Sequence, residues 1–197
     1  RPAHLTEAKR AMGIDPSHRV IAHLGFIHQH KGVAETINAV GQLHERGMTD
    51  LHYIVCGGVP SDDEGGRFFE SLKQQARALG IADFVHMDGQ FADDEVVLAR
   101  LQAADWIVLN YLSGADQGTS GAARHALAAG RPIAVSQAPI FDDLRPAVHT
   151  MGPSLANSIA TLFDDPTVTE QTMDRATLFC AENSWRQIAK RHQKLYE

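Results

Sequence analysis

Several short stretches of this sequence could meet a negatively charged ligand. In "GADQGTSGAARHALAAGRPIAVS" (114–136), Gly, Ser and Thr crowd the approach to an Ala- and Leu-rich helical pattern. The first turn of a helix leaves amide N–H groups unpaired and carries the positive end of the helix dipole. Gly118, Thr119, Ser120 and Gly121 would let a phosphate approach that backbone, with the Thr119 and Ser120 hydroxyls adding hydrogen bonds. The same hydroxyls can simply cap the helix, although a cap accounts for one small residue more readily than for a run of them. In "GFIHQHKG" (25–32), Lys31 stands just before Gly32 and the next helical pattern, placed either to meet a diphosphate as a mobile point charge or to sit in solvent. His28 and His30 in that loop form a His-X-His pair, which reads as polar loop filling or as two ligands of a metal whose further ligands are not visible. In "CGGVPSDD" (56–63), Gly57 and Gly58 close an apolar run. There is no P-loop and no GxGxxG, so ATP and NAD readings lose their usual signals. "GTSGA" lacks the G-x-S-x-G order, which speaks against a serine hydrolase.

The elements that must carry these loops follow from periodicity. Apolar runs at 19–26, 51–58, 82–90, 105–111 and 131–136 read as strands. Between them lie helical patterns at 32–47, with apolar residues at 33, 37, 40 and 43; at 64–80, with Phe68, Leu72, Ala76 and Leu79 on one face and Gly80 closing it; at 93–104; and at 120–129. Strict alternation predicts an α/β fold with a doubly wound parallel sheet and helices on both faces. Three further helices are predicted at 154–165, 167–182 and 184–196. In such sheets ligands bind beyond the carboxyl ends of the strands, where the loops described above fall.

Composition bounds the rest. The 197 residues suit one large domain or two small ones, and no internal boundary is visible, so a single domain over 1–197 is expected. A net charge of −6 argues against a nucleic-acid footprint, which usually needs a basic face. Cys56 and Cys180 both fall in apolar surroundings, which predicts free thiols in a reducing compartment. No apolar run approaches the roughly 20 residues needed to span a bilayer. The chain opens on Arg1-Pro2, as a fragment of a longer protein would.

Taken together and in order, these motifs resemble the C-terminal, donor-binding domain of the group 1 glycosyltransferases of GT-B fold. "GFIHQHKG" is similar to that family's G-R-L-x-x-x-K-G, "YIVCGG" to its glycine-closed second strand, "FVHMDG" to V-x-F-x-G, "QGTSGAARHALAAGRPIAV" to E-G-F-G-L-x-x-x-E-A-M-A-x-G-x-P-V-V, and "SWRQIAKRHQKLY" to its tail, with coverage from about residue 17 to the end. The resemblance implies a Rossmann-like half-molecule that binds a nucleoside-diphosphate sugar of UDP or GDP type. Lys31 would face the diphosphate, N–H groups around Ser120 and Gly121 would hold its distal phosphate, Gly57 and Gly58 would lie near the nucleotide, and the loop at 88–91 would run beside the base. The sequence departs from the family at three points. Phe26 replaces the first-loop arginine, Gln117 the sugar-binding glutamate, and His125 the ribose-binding glutamate. Gln117 could still bond a hexose hydroxyl, Asp116 could supply a carboxylate, and His125 could bond the ribose. Arg124 reads as a surface arginine.

The implied function is hexose transfer, usually with retention, to a glycan or lipid-linked acceptor held by an N-terminal domain that this chain lacks. No catalytic metal or other cofactor is implied, the fragment alone would turn over poorly, and a cytoplasmic setting in polysaccharide biosynthesis is expected, with contact at the inner membrane face left open. The alternative is a degenerate GT-B-like domain that acts as a nucleotide-binding or scaffold module.

Overall fold

The computed structural model describes residues 3–112 and 118–196. In chain order the elements are α1 (Ala3–Ala11), β1 (Arg19–Leu24), α2 (Val33–Glu45), β2 (Leu51–Cys56), α3 (Asp63–Ala78), β3 (Val85–Met87), α4 (Asp94–Gln102), β4 (Trp106–Leu109), α5 (Gly121–Ala126), β5 (Ile133–Val135), β6 (His149–Thr150), α6 (Leu155–Asp164), α7 (Pro166–Glu182) and α8 (Trp185–Gln193). The sheet order is β3-β2-β1-β4-β5-β6, and every neighbouring pair runs parallel.

Alternate strand residues point to opposite faces, and both faces are covered. Val20, Ala22, Ile54, Ile107 and Leu109 pack with Leu101 of α4, Ala123 and Ala126 of α5, and Phe141. On the other face, Ile21, Tyr53, Val55, Trp106 and Val108 meet α2, α3 and α6. Val33, Ile37, Val40 and Leu43 are all buried, as their spacing predicts. On α3 the buried apolar side chains are Phe69, Leu72 and Ala76. Phe68 only partly packs against the core and Leu79 is exposed, so the apolar face starts one residue later than expected. Leu79 is the C-cap, and Gly80 follows it in the left-handed region at φ +68°.

Three further features differ from the sequence-based expectation. The sheet has six strands, because β6 adds two residues to its edge; so short a strand has no periodicity to detect. Helix α1 precedes the sheet and is pinned by a buried pair: Lys9 Nζ donates to Asp105 Oδ2 and to the His18 carbonyl, each at 2.7 Å. Asp105 Oδ2 also accepts from the Val20 N–H at 2.8 Å, so neither charge, costly alone, is left uncompensated. Cys56 is buried as expected, but Cys180 is exposed on α7.

Candidate functional site

The chain runs outward from β1 through β2 to β3, then returns to the other side of β1 at β4. The connections leaving β1 and β4 therefore cross to opposite faces of the sheet, with α2 on one and α5 on the other, and leave a crevice at the sheet's carboxyl edge, the expected place for a ligand. A cleft of about 630 Å³ lies there, within the usual range for small-molecule sites.

Lys31 is positioned by the clamping of its loop. The Leu112 N–H donates to the His30 carbonyl at 2.9 Å, which ties the loop after β1 to the loop after β4. Gly32 sits at φ +67°, and a Cβ there would lie 1.8 Å from the Asn110 carbonyl oxygen, so only glycine lets the two loops meet. Lys31 is thereby turned into the cleft, its Nζ 3.9 Å from the centre of the Tyr111 ring. His28 and His30 stack on each other with centroids 5.4 Å apart. Among the described residues, no group of three His, Cys, Asp or Glu side chains is placed to hold a metal.

Gly57 and Gly58 line the cleft, but packing explains why both are glycine. A Cβ on Gly57 would fall 1.8 Å from the Gly25 carbonyl oxygen, and one on Gly58 would fall 2.5 Å from the Phe91 ring. Phe91 rests over Gly58 and meets Phe26 edge to face at 5.3 Å. Phe26, standing where a cation was expected, is 52% exposed at the rim, and Phe91 is 67% exposed.

At the start of α5 the two alternatives divide between side chain and backbone. Ser120 is buried, and its Oγ accepts from the Ala123 N–H at 3.1 Å, so its side chain is a cap. Tyr111 Oη stands 3.4 Å from the same oxygen. The N–H groups of Gly121 and Ala122 find no acceptor among the described residues. Gly118, Thr119 and Gly121 face the cleft from exposed positions, and a Cβ on Gly121 would meet nothing within 4 Å. Asp116 and Gln117 lie outside the described residues. His125 lines the cleft, while Arg124 turns away and donates to Asp143, as a surface arginine would.

Two charged residues of the cleft were not singled out from the sequence. Asp94, at the start of α4, places an oxygen 3.7 Å from His125 Nε2, so a carboxylate does face His125, supplied by another helix. Arg100, two turns along α4, lines the same wall, and its Nη2 donates to Asp88 Oδ2 at 2.7 Å. Burial works against the charge on Asp88, but bonds from Arg100 and the Gln90 N–H hold its carboxyl below the usual range. In the floor of the cleft, burial pushes the Cys56 thiol up to about 12, so it stays neutral. Behind the site His23 is fully buried, and burial, followed by the charge of Lys31, pushes it down to about 4.

The family model described as "Glycosyl transferases group 1" matches residues 18–165. The chain belongs to the group 1 glycosyltransferases. It is 26% identical over 198 residues to a D-inositol 3-phosphate glycosyltransferase of Corynebacterium diphtheriae, covering 96% of this chain and 45% of that protein. The chain thus spans less than half the length of that curated relative. Among solved structures it is similar to the C-terminal domain of a group 1 family glycosyl transferase from Francisella tularensis, with a TM-score of 0.74 and 17% identity over 90% of this chain and 91% of that one. It is also similar to Anabaena HepE in complex with UDP-glucose, with a TM-score of 0.78 and 19% identity over 98% of this chain and 53% of that one. These likenesses match a fold of six parallel strands flanked by helices. In this member of the group 1 glycosyltransferases, the cleft takes its positive charge from Lys31, Arg100 and the start of α5, with Phe26 at its rim.

Proposed function

We propose that this chain is the donor-binding part of a glycosyltransferase that moves a hexose from a nucleoside-diphosphate sugar to a glycan or lipid-linked acceptor. The observation that carries the reading is the meeting, in one cleft, of Lys31 and the N–H groups of Gly121 and Ala122, which have no acceptor among the described residues. The contacts of His30 with Leu112 and of Gly32 with Asn110 hold the Lys31 loop in place before any ligand arrives. Donors already in place cost no reorganisation when negative charge grows on a departing diphosphate, and that is how they would promote transfer. Retention, the family habit, and a role in polysaccharide biosynthesis in the cytoplasm belong to the same proposal.

The acceptor and the groups that activate it would come from a part of the protein outside these residues, so this segment alone would bind donor and transfer sugar poorly. No resident metal is required in this scheme, because the diphosphate meets its positive charge from the protein. The sugar would lie toward 113–117, the segment that holds Asp116 and Gln117, and the ribose toward His125 and Asp94.

Titration calorimetry with UDP and GDP tests the reading. Binding of at least one is expected, and Lys31→Ala should weaken it by about 1.5–3 kcal/mol, the usual worth of a hydrogen bond to a charged group. The thermal midpoint should change little. If neither nucleotide binds, the scaffold reading takes its place. Unchanged affinity in the variant would remove Lys31 from the site.

A further inference from the structure

The side of the cleft formed by α4 and the loop after β3 has a feature that phosphate binding does not use. Arg100 is a quarter exposed and lines the cleft together with Val97, Cys56 and Phe91. One of its nitrogens is held by Asp88 at 2.7 Å, and Asp88 is held in turn by the Gln90 N–H at 3.0 Å. The other guanidinium nitrogens make no hydrogen bond to the described residues. A planar set of donors is thus fixed in orientation, partly withdrawn from water, and left with donors free. Phe91 and Phe26, which line the same cleft, expose large ring surfaces. Exposed rings and a fixed fork of donors in one cleft suit a flat, hydrogen-bonding heterocycle.

We propose that Arg100, positioned by Asp88, reads the nucleobase of the donor and selects a keto base over an amino base. The inference rests on the nucleotide-sugar reading of the cleft. The chemistry follows from the edges of the bases. Guanine O6 and the pyrimidine keto O4 accept hydrogen bonds, whereas the adenine N6 and cytosine N4 amines donate them. A guanidinium facing that position bonds the first pair and opposes the second with donor against donor. Asp88 acts through Arg100: without it the side chain would swing into solvent, and the fork would lose its aim.

The test is calorimetric titration of the chain with UDP, GDP, CDP and ADP. The better of UDP and GDP should bind at least ~10-fold more tightly than either CDP or ADP, the scale of one good hydrogen bond. Arg100→Ala should remove that preference chiefly by weakening the keto nucleotide, Arg100→Lys should keep part of it, and Asp88→Asn should reduce it. Lys31→Ala should weaken all four by a similar factor and leave the ratio standing. Equal binding of the four by the native chain, or a ratio that survives in Arg100→Ala, overturns the role of Arg100 while the nucleotide site stands. Binding of none of them overturns both. Circular dichroism and the thermal midpoint of each variant separate lost selectivity from lost fold.

Discussion

At the scale of single residues, the cleft is built from groups whose charge is set by their surroundings. Lys31 is kept over an aromatic face, Arg100 is fixed by a carboxylate, and the Cys56 thiol stays neutral. His23, buried beside Gly25 and Tyr111, is sensitive to acid. Burial lowers it from the ordinary value of 6.5 to about 4, and the charge of Lys31 adds to that. In the unfolded chain it would protonate near 6.5, so between about pH 6.5 and 4 the unfolded state binds more protons. Stability is then fully present above pH 6.5 and falls as the pH drops, by on the order of 3 kcal/mol for this residue. His52 follows the same sign: burial, then His86 and His18, also bring it to about 4. Its two ring nitrogens lie 2.9 Å from those of His18 and His86, so the row is hydrogen-bonded. The thermal midpoint, followed from pH 7.5 to 4.5, should fall steadily, and the fall should be shallower in His23→Leu. A flat profile would show that these histidines keep their ordinary values. Carboxylates such as Asp88, held below their usual range, act at lower pH and do not confuse this window.

At the scale of elements, two glycines of the cleft separate fold from function. Gly57 has no room for a side chain, because the Gly25 carbonyl fills the space. Gly121 opens α5 with nothing within 4 Å of where its Cβ would be. Gly57→Ala should therefore cost ~3 kcal/mol or more of stability, since backbone cannot move aside cheaply. Gly121→Val should leave stability within ~0.5 kcal/mol, as for a surface change, yet lower nucleotide affinity ~10-fold or more by filling the space a phosphate would take. Denaturant unfolding and titration of both variants check the pair. A stable Gly57→Ala, or a Gly121→Val that binds as well as the native chain, would show the cleft to be misread. The alternation of elements was legible in the sequence because each strand, covered on both faces, leaves an apolar run, and each helix repeats its apolar residues at three and four. What was not legible depends on contacts between distant segments. Lys9 and Asp105 are 96 residues apart and look like ordinary charges until α1 packs. Asp94 and Arg100 lie six residues apart in one helical pattern, and only the fold turns both into one cleft. Gly57 and Gly58 do line the cleft, but the need for glycine comes from neighbouring protein atoms.

At the scale of the whole molecule, a doubly wound sheet brings loops from four strand ends to one edge, where they surround an open, partly apolar cleft with positive charge at defined places. The family match and the parallel sheet supply the setting, and the proposed chemistry rests on Lys31 and the start of α5 lining one cleft. A crystal of the chain soaked with UDP or GDP tests that placement most directly. The two phosphates are expected between Lys31 Nζ and the N–H groups of Gly121 and Ala122. A cleft without nucleotide at millimolar concentration, or phosphates bound elsewhere on the surface, would contradict it.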